Sequence, residues 1–205
     1  MIRVAERLFA ERGVEAVSLR EIGAAAGQRN NSAAQYHFGS KAGLVEAIFA
    51  LRMAAINDRR LARLSDLDAA GRPTEIGGLV EAYVRPLAES FDDSTGDRWY
   101  LRFLARMTAD PHVVDQQPAL RPFTAGLDEV LRRFDLALAD LPQPIRRERI
   151  AALGTLTVHT LAALEGTGRD DVRLLTADLV DMATGLLTAP ASPETRRLLR
   201  SGARR

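Results

Sequence analysis

Apolar positions recur every three or four residues along almost the whole chain, and no stretch alternates β-branched and polar residues over the length of a strand. Val4, Leu8 and Phe9 form one stripe on a helix over 2–12, ended by Gly13. The next helix has a marked start: Ser18 and Glu21 have capping-box spacing, with Val17 and Ile22 at the flanking hydrophobic-staple positions. Gly27 ends it. A short helix over about 31–37 follows, with Asn30 or Asn31 as its N-cap, and Gly39-Ser40 breaks the chain ahead of a long helix over about 41–64. Beyond Gly71-Arg72-Pro73 the pattern predicts helices over about 74–92, 96–110, 116–139, 145–165 and 170–188. Pro111, Leu141-Pro142-Gln143-Pro144 and Gly166-Thr167-Gly168 separate several of them. Pro86 predicts a kink or boundary inside the first of these. The stretch from Pro190 onward, with five Arg and one Glu, reads as a mobile basic tail. The fold class is all-α.

Composition narrows the class without naming a function. The 205 residues are 46% hydrophobic and 27% charged, which is ordinary for a globular protein. No uninterrupted apolar run reaches the length of a membrane span, and Glu6 and Glu11 interrupt the N-terminal apolar pattern, which does not suit a secretory signal. Cysteine is absent, which excludes disulfide scaffolds and thiol nucleophiles and fits a reducing, cytoplasmic location. Net charge is only +1, but residues 1–60 carry +3 and the remainder −2, so the N-terminal part is the anion-facing one. The only lysine in an otherwise arginine-rich chain is Lys41.

Three short helices in about 38 residues, with a tight turn between the second and third, match a helix-turn-helix, whose second helix enters the DNA major groove. Ala34 and Phe38 face inward with Leu19, Ile22 and Phe9, while Asn31 and Gln35 share another face beside Ser32 and Tyr36. Asn and Gln can pair with adenine in bidentate fashion, and Tyr and Ser commonly reach phosphates or thymine edges. Lys41, in the first turn of the next helix, adds a cation to free backbone N–H groups, as a phosphate site requires. The same residues also allow a plainer reading: Asn30 and Asn31 as caps, Tyr36-His37-Phe38 as a packed helix end, Lys41 solvated.

The run AERLFAERGVEAVSLREIGAAAG, followed by QYHFGSKAGLVEAIF, resembles the DNA-binding region of the TetR family of transcriptional regulators over residues 2–50. The resemblance rests on Phe9 and Gly13, Ser18 and Glu21, Ile22, Ala25-Ala26-Gly27 and Tyr36-His37-Phe38-Gly39-Ser40-Lys41. It implies phosphate contacts from Tyr36 and Lys41 and a groove-facing set of Asn31, Ser32 and Gln35. The DNA-binding set as a whole is Ser18, Arg29, Asn31, Ser32, Gln35, Tyr36, His37 and Lys41. Two features depart from the family pattern. Six residues, Gln28 to Ala33, separate Gly27 from the inward Ala34, where five are usual and Leu is commoner than Ala. No basic residues precede Ile2, so either the N-terminal arm is absent or it lies upstream, and no minor-groove contact is assigned.

The resemblance further implies three parts: a helix-turn-helix domain over 1–45, a helical ligand-sensing and dimerisation domain over 46–189 reached through the long helix, and the basic tail over 190–205. It implies a homodimer on a palindromic double-stranded operator, a repressor released by a small-molecule effector, no cofactor and no membrane partner. The dimer seam is expected in the helices near 145–165 and 170–188. Small and apolar residues (Ala151, Ala152, Gly154, Val158, Leu161, Ala162) surround much of the first, and Val172, Leu175, Leu179, Met182 and Leu186 recur along the second. Burial inside one subunit explains the same pattern. The effector-pocket candidates are Tyr83, Trp99, Tyr100, Phe103, Met107, Phe123 and His159, with Phe91 and Phe134 as neighbours; aromatics at this spacing also suit an ordinary core. Neither a metal-ligand spacing nor a nucleophile motif joins His37, His112 and His159 to other residues, so an enzyme is not expected. The alternative function is a helical small-molecule-binding protein whose N-terminal module no longer reads DNA.

Overall fold

A computed structural model of the chain describes residues 1–28, 33–92, 99–108, 123–165 and 169–202. Every regular element among them is helical. Helix α1 (Ile2–Arg12) buries Ala5, Phe9 and Ala10, and α2 (Leu19–Ala25) buries Ile22 against it. Helix α3 (Ala33–Phe38) contributes the fully buried Ala34, and α4 (Lys41–Ala69) runs from this module into the rest of the chain. The predicted end of α4 near 64 is too early. Leu64 and Leu67 keep the helix buried, and it stops where Gly71 takes φ 69°, with the Arg72 N–H closing onto Leu67 O at 2.9 Å.

The companion domain is layered around α5 (Ile76–Ala88), which lies against α4. Pro86 falls in the last turn of α5, and the chain passes into a 3-10 turn over Glu89–Asp92, so the proline marks a boundary. The next helices are α6 (Tyr100–Thr108), α7 (Ala125–Ala137), α8 (Gln143–Leu164) and α9 (Arg169–Thr188). Helix α7 covers α4 and α5, α9 packs on α5 and α8, and α6 is held between α8 and α1. The predicted extensions of α6 and α7 through 96–98, 109–110 and 116–122 lie outside the described residues.

The stretch after Pro190 differs from the expectation of a mobile tail. Residues Pro193–Gly202 form helix α10, started by Ser192, whose Oγ accepts the Thr195 N–H at 3.1 Å. Pro193 and Glu194 suit a first turn, and Leu199 with Arg196 faces the Leu138 and Leu187 ends of α7 and α9. The arginine content hid a local helix signal.

Candidate nucleic-acid interface and its coupling to the companion domain

The reading head is built by capping. Ser18 Oγ accepts the Glu21 N–H at 3.2 Å, while the Ser18 N–H and hydroxyl both donate to Glu21 Oε2 at 2.8 Å. Arg12 Nη2 holds Glu21 Oε1 at 3.0 Å and the Ala16 carbonyl at 3.0 Å. The Ser18 N–H, then its hydroxyl, then Arg12 lower the Glu21 carboxyl to about 2, so it stays ionised. Both polar ends of Ser18 are thus engaged within the cap.

Helix α3 presents Gln35, Tyr36 and His37 to solvent, with Tyr36 86% exposed. The Tyr36 and His37 rings meet edge to face at 5.3 Å. An aromatic side chain this open receives little from the subunit's own packing. The Gln35 amide donates to the Gly39 carbonyl, which closes the end of α3. Gly39 turns the chain with φ 68°, and Gly43 lets α4 start directly against α3, because a Cβ there would lie 2.2 Å from the Phe38 carbonyl oxygen. Ser40 caps α4 by accepting the Gly43 N–H at 3.0 Å.

Lys41 is placed differently from a solvated phosphate ligand. Its Nζ donates to the carbonyls of Val14 at 3.1 Å and Glu15 at 3.2 Å, and to Glu15 Oε2 at 3.2 Å. It ties the α1–α2 loop to the first turn of α4. Arg29, Asn31 and Ser32 of the expected DNA-binding set, with the proposed Asn30 cap and most of the six-residue turn, lie outside the described residues.

The module joins the companion domain at three places. Arg52 of α4 donates to Glu6 of α1 through Nε (2.8 Å to Oε2) and Nη2 (2.9 Å to Oε1), a bidentate pair with 8% and 1% of the side chains exposed. Arg106 of α6 donates to the carbonyls of Ala10 (2.8 Å) and Glu11 (3.0 Å), satisfying the C-terminal end of α1. Phe103 of α6 stacks on Phe9 with ring centres 6.3 Å apart and meets Phe49 edge-on at 5.7 Å. Sequence reading assigned no role to Arg52 or Arg106, and took Glu6 only as an interruption of an apolar stripe. A charged residue at a core-facing helical position was the available signal for the pair.

The start of α6 is held from α8. Glu165 Oε1 accepts the Leu101 N–H at 2.8 Å and Oε2 the Arg102 N–H at 3.1 Å, with Arg102 Nε 3.5 Å from Oε2. Burial raises this carboxyl to about 7, against the lowering by the two N–H groups and Arg102, and Glu6 adds to the rise. A carboxyl raised above its unfolded value binds its proton more tightly when folded. Stability from this group is therefore full at low pH and is lost as pH rises from about 4.5 through 7. Between pH 5 and 8 the wild type is expected to lose on the order of 2–3 kcal/mol relative to Glu165→Gln, read by urea unfolding of both proteins. Parallel pH profiles would rule this out.

The aromatic set expected to form one effector pocket divides. Tyr100, Phe103 and Met107 are buried, with Tyr100 edge-on to Phe49 at 6.4 Å and Phe103 against Phe9 and Phe49. Trp99 is half-buried under Arg102, whose guanidinium lies 4.9 Å from its ring centre. Phe123 offers its carbonyl to Asn57 Nδ2 at 2.6 Å. Tyr83 lies deeper, edge-on to Phe134 at 6.2 Å. His159 is a correction: it is exposed on the outer side of α8 and joins neither the core nor these aromatics. The side chain of Phe91 and all of His112 lie outside the described residues. A cavity of about 570 Å³ does exist, lined by Ile76, Leu141, Arg149, Leu187, Arg196 and Leu199 among others, and none of the expected aromatics lines it.

One buried cation was not foreseen. Arg60 of α4 is 1% exposed, with the Tyr83 ring centre 5.6 Å from its guanidinium carbon and its Nη1 donating to Asn57 Oδ1 at 3.1 Å. Its Nε has no acceptor, and among the described residues no carboxylate pairs with it. Burial lowers its pKa, opposed by the nearby Tyr83 and Tyr100.

A three-helix head with an exposed polar third helix, fused through one long helix to an all-helical domain, defines a helix-turn-helix DNA-binding protein with a companion domain. Residues 1–48 match the family described as bacterial regulatory proteins, tetR family. Over those residues the chain is similar to the DNA-binding part of tetR-family regulators, and the match together with the fold supports a DNA-binding transcriptional regulator. Its fold is similar to that of the TetR-family transcriptional regulator PfmR from Thermus thermophilus, with 18% identity and a TM-score of 0.50 over 93% of this chain and 95% of that one. A structure described as a TetR-family regulator from Mesorhizobium loti aligns at 18% identity and a TM-score of 0.49, covering 91% and 92% of the two chains. No curated protein sequence matches the chain. Among the described residues no helix is long and apolar enough to cross a membrane.

Proposed function

We propose that the chain is a homodimeric repressor that binds a palindromic operator and is released by a small-molecule effector held in the companion domain over 46–189. The observation that carries effector control is the clamping of α6: Phe103 and Arg106 grip the end of α1 while Glu165, the residue that ends α8, grips the start of α6. An effector that favours a different α6 position shifts the population toward states whose two heads no longer match the half-site spacing. The two heads read half-sites about 34–36 Å apart, or a multiple of that.

On the DNA side, Gln35 faces the groove and Tyr36 and His37 face the backbone, with Arg29, Asn31 and Ser32 assigned to the same surface from sequence. Lys41 and Ser18 act mainly by holding the head in shape, since their polar atoms are engaged in the α1–α2 loop and the cap. The subunits associate through α8 and α9. Support comes from the exposed apolar Leu174, Leu175 and Met182 of α9 and the exposed small residues Ala151, Ala152 and Thr155 of α8. Leu179 and Leu187, by contrast, are fully buried within the subunit, and Val172 and Leu186 are partly so.

Fluorescence anisotropy with the palindrome upstream of the chain's own gene tests the reading. Tyr36→Ala is expected to weaken operator and non-specific DNA alike and to reduce the salt slope, whereas Gln35→Ala changes which operator variants are preferred at a cost of about 1–3 kcal/mol per base pair. Unchanged affinity in both variants would favour a module that no longer reads DNA.

A further inference from the structure

Arg60 is buried among helices that do not need its charge. Guanidinium remains cationic at any accessible pH, so a buried one calls for a counter-charge. Its partners among the described residues are neutral: the Asn57 side-chain oxygen at 3.1 Å and the Tyr83 ring face at 5.6 Å. Two buried donors in this region have no acceptor, Arg60 Nε and the Tyr100 hydroxyl; burial raises the Tyr100 hydroxyl and keeps it a neutral donor, and the Arg60 cation works against that rise. Two donors and one positive charge form the complement of a carboxylate. A phosphate, with more oxygens and more charge, would need a larger set. The surroundings are aromatic, with Phe134 packed on Tyr83.

We propose that Arg60 anchors the effector, and that the effector is an organic acid whose carboxylate pairs with Arg60 Nε and the Tyr100 hydroxyl while its apolar body lies against Tyr83 and Phe134. This rests on the effector-control reading above. It adds the ligand's chemical class and a physical reason for the site: binding supplies an anion that the described residues around Arg60 do not. Because α6 carries both Tyr100 and the Phe103 and Arg106 grip on α1, drawing Tyr100 toward a carboxylate acts directly on the head.

The test uses the full chain without DNA and a panel of sodium carboxylates (benzoate, phenylacetate, octanoate, dodecanoate), each beside its neutral primary amide. Calorimetric titration is expected to find at least one acid that binds, with its amide roughly 10- to 100-fold weaker. Arg60→Met should lose the acid by a similar factor, and Arg60→Lys should retain part of the affinity. Arg60→Met is also expected to have an unchanged or higher Tm in the absence of ligand, since an uncompensated charge is replaced by an apolar side chain of similar length. Equal binding of acids and amides, no binding by any acid, or an Arg60→Met protein that unfolds or melts well below wild type would each overturn the proposal; the last would make Arg60 structural. An anisotropy arm separates this from the parent reading. Acid binding that depends on Arg60 but leaves the operator complex intact supports the site and refutes effector release. Operator release by neutral molecules alone does the reverse.

Discussion

Glu6→Ala is expected to cost about 3–5 kcal/mol of folding stability, a large share of what a domain of this size has. The reason lies at the junction between α1 and α4. Arg52 meets Glu6 through two short hydrogen bonds of 2.8 and 2.9 Å, with both side chains almost wholly removed from water. Deleting the carboxylate removes both short hydrogen bonds and their charge from a guanidinium held in a low-dielectric site, and arginine cannot shed its proton to relieve that. Replacing both residues by Met should be much milder, because the desolvation of two charges is removed with their attraction. Urea unfolding of the two single variants and the double variant closes a thermodynamic cycle, with a coupling energy of about 2–3 kcal/mol expected. A loss below about 1 kcal/mol in Glu6→Ala would show that the pair only orients the two helices. The pair also sets the angle at which the reading head leaves the companion domain, so operator affinity should fall together with stability.

In the homodimer proposed above, Met182→Arg is expected to separate the subunits and to weaken operator binding by roughly 10²–10⁴-fold, because the second head then no longer binds as an intramolecular partner. Leu174 and Met182 stand two turns apart on α9, 69% and 45% exposed, with Asp178 between them on the same side. Apolar side chains in an exposed helical row beside the small exposed residues of α8 are what a close helix–helix seam requires. An arginine at the centre of that seam would be desolvated against its own symmetry mate. Leu136→Arg is the control, since Leu136 is also exposed (53%) but lies on α7. Light scattering at micromolar concentration together with anisotropy reads both effects. A Met182→Arg protein that remains dimeric would move the seam elsewhere; a monomer with undiminished affinity would mean the heads bind independently.

Much of the DNA-binding head was legible in the sequence because its determinants are local. The Ser18–Glu21 cap, the stop after Ala26, the Gly39 turn and the Ser40 cap all involve residues within a few positions of each other, and each is present as expected. The inward placement of Ile22, Ala34 and Phe38 follows from helical period alone. The same period misled in the companion domain. On α9 it marked Val172, Leu175, Leu179, Met182 and Leu186 as one stripe, yet Leu179 faces the core and Met182 the solvent. A helix apolar on several sides does not declare which side meets its own subunit. His159 was misplaced for the same reason.

Sequence by itself determined the all-helical class, the order of the helices up to Thr188 and the polar face of the third helix, since caps, breakers and a 3.6-residue period are properties of neighbouring residues. Tertiary structure alone decided which charges meet across the chain. Glu6 and Arg52 are 46 positions apart, Lys41 reaches back 27 to Val14, and Arg106 reaches back 96 to Ala10. It also decided that Arg60, indistinguishable in sequence from the exposed arginines around it, lies in the interior with no acid beside it among the described residues. A charge takes its meaning from burial and from its partner, and neither is written in the residues next to it.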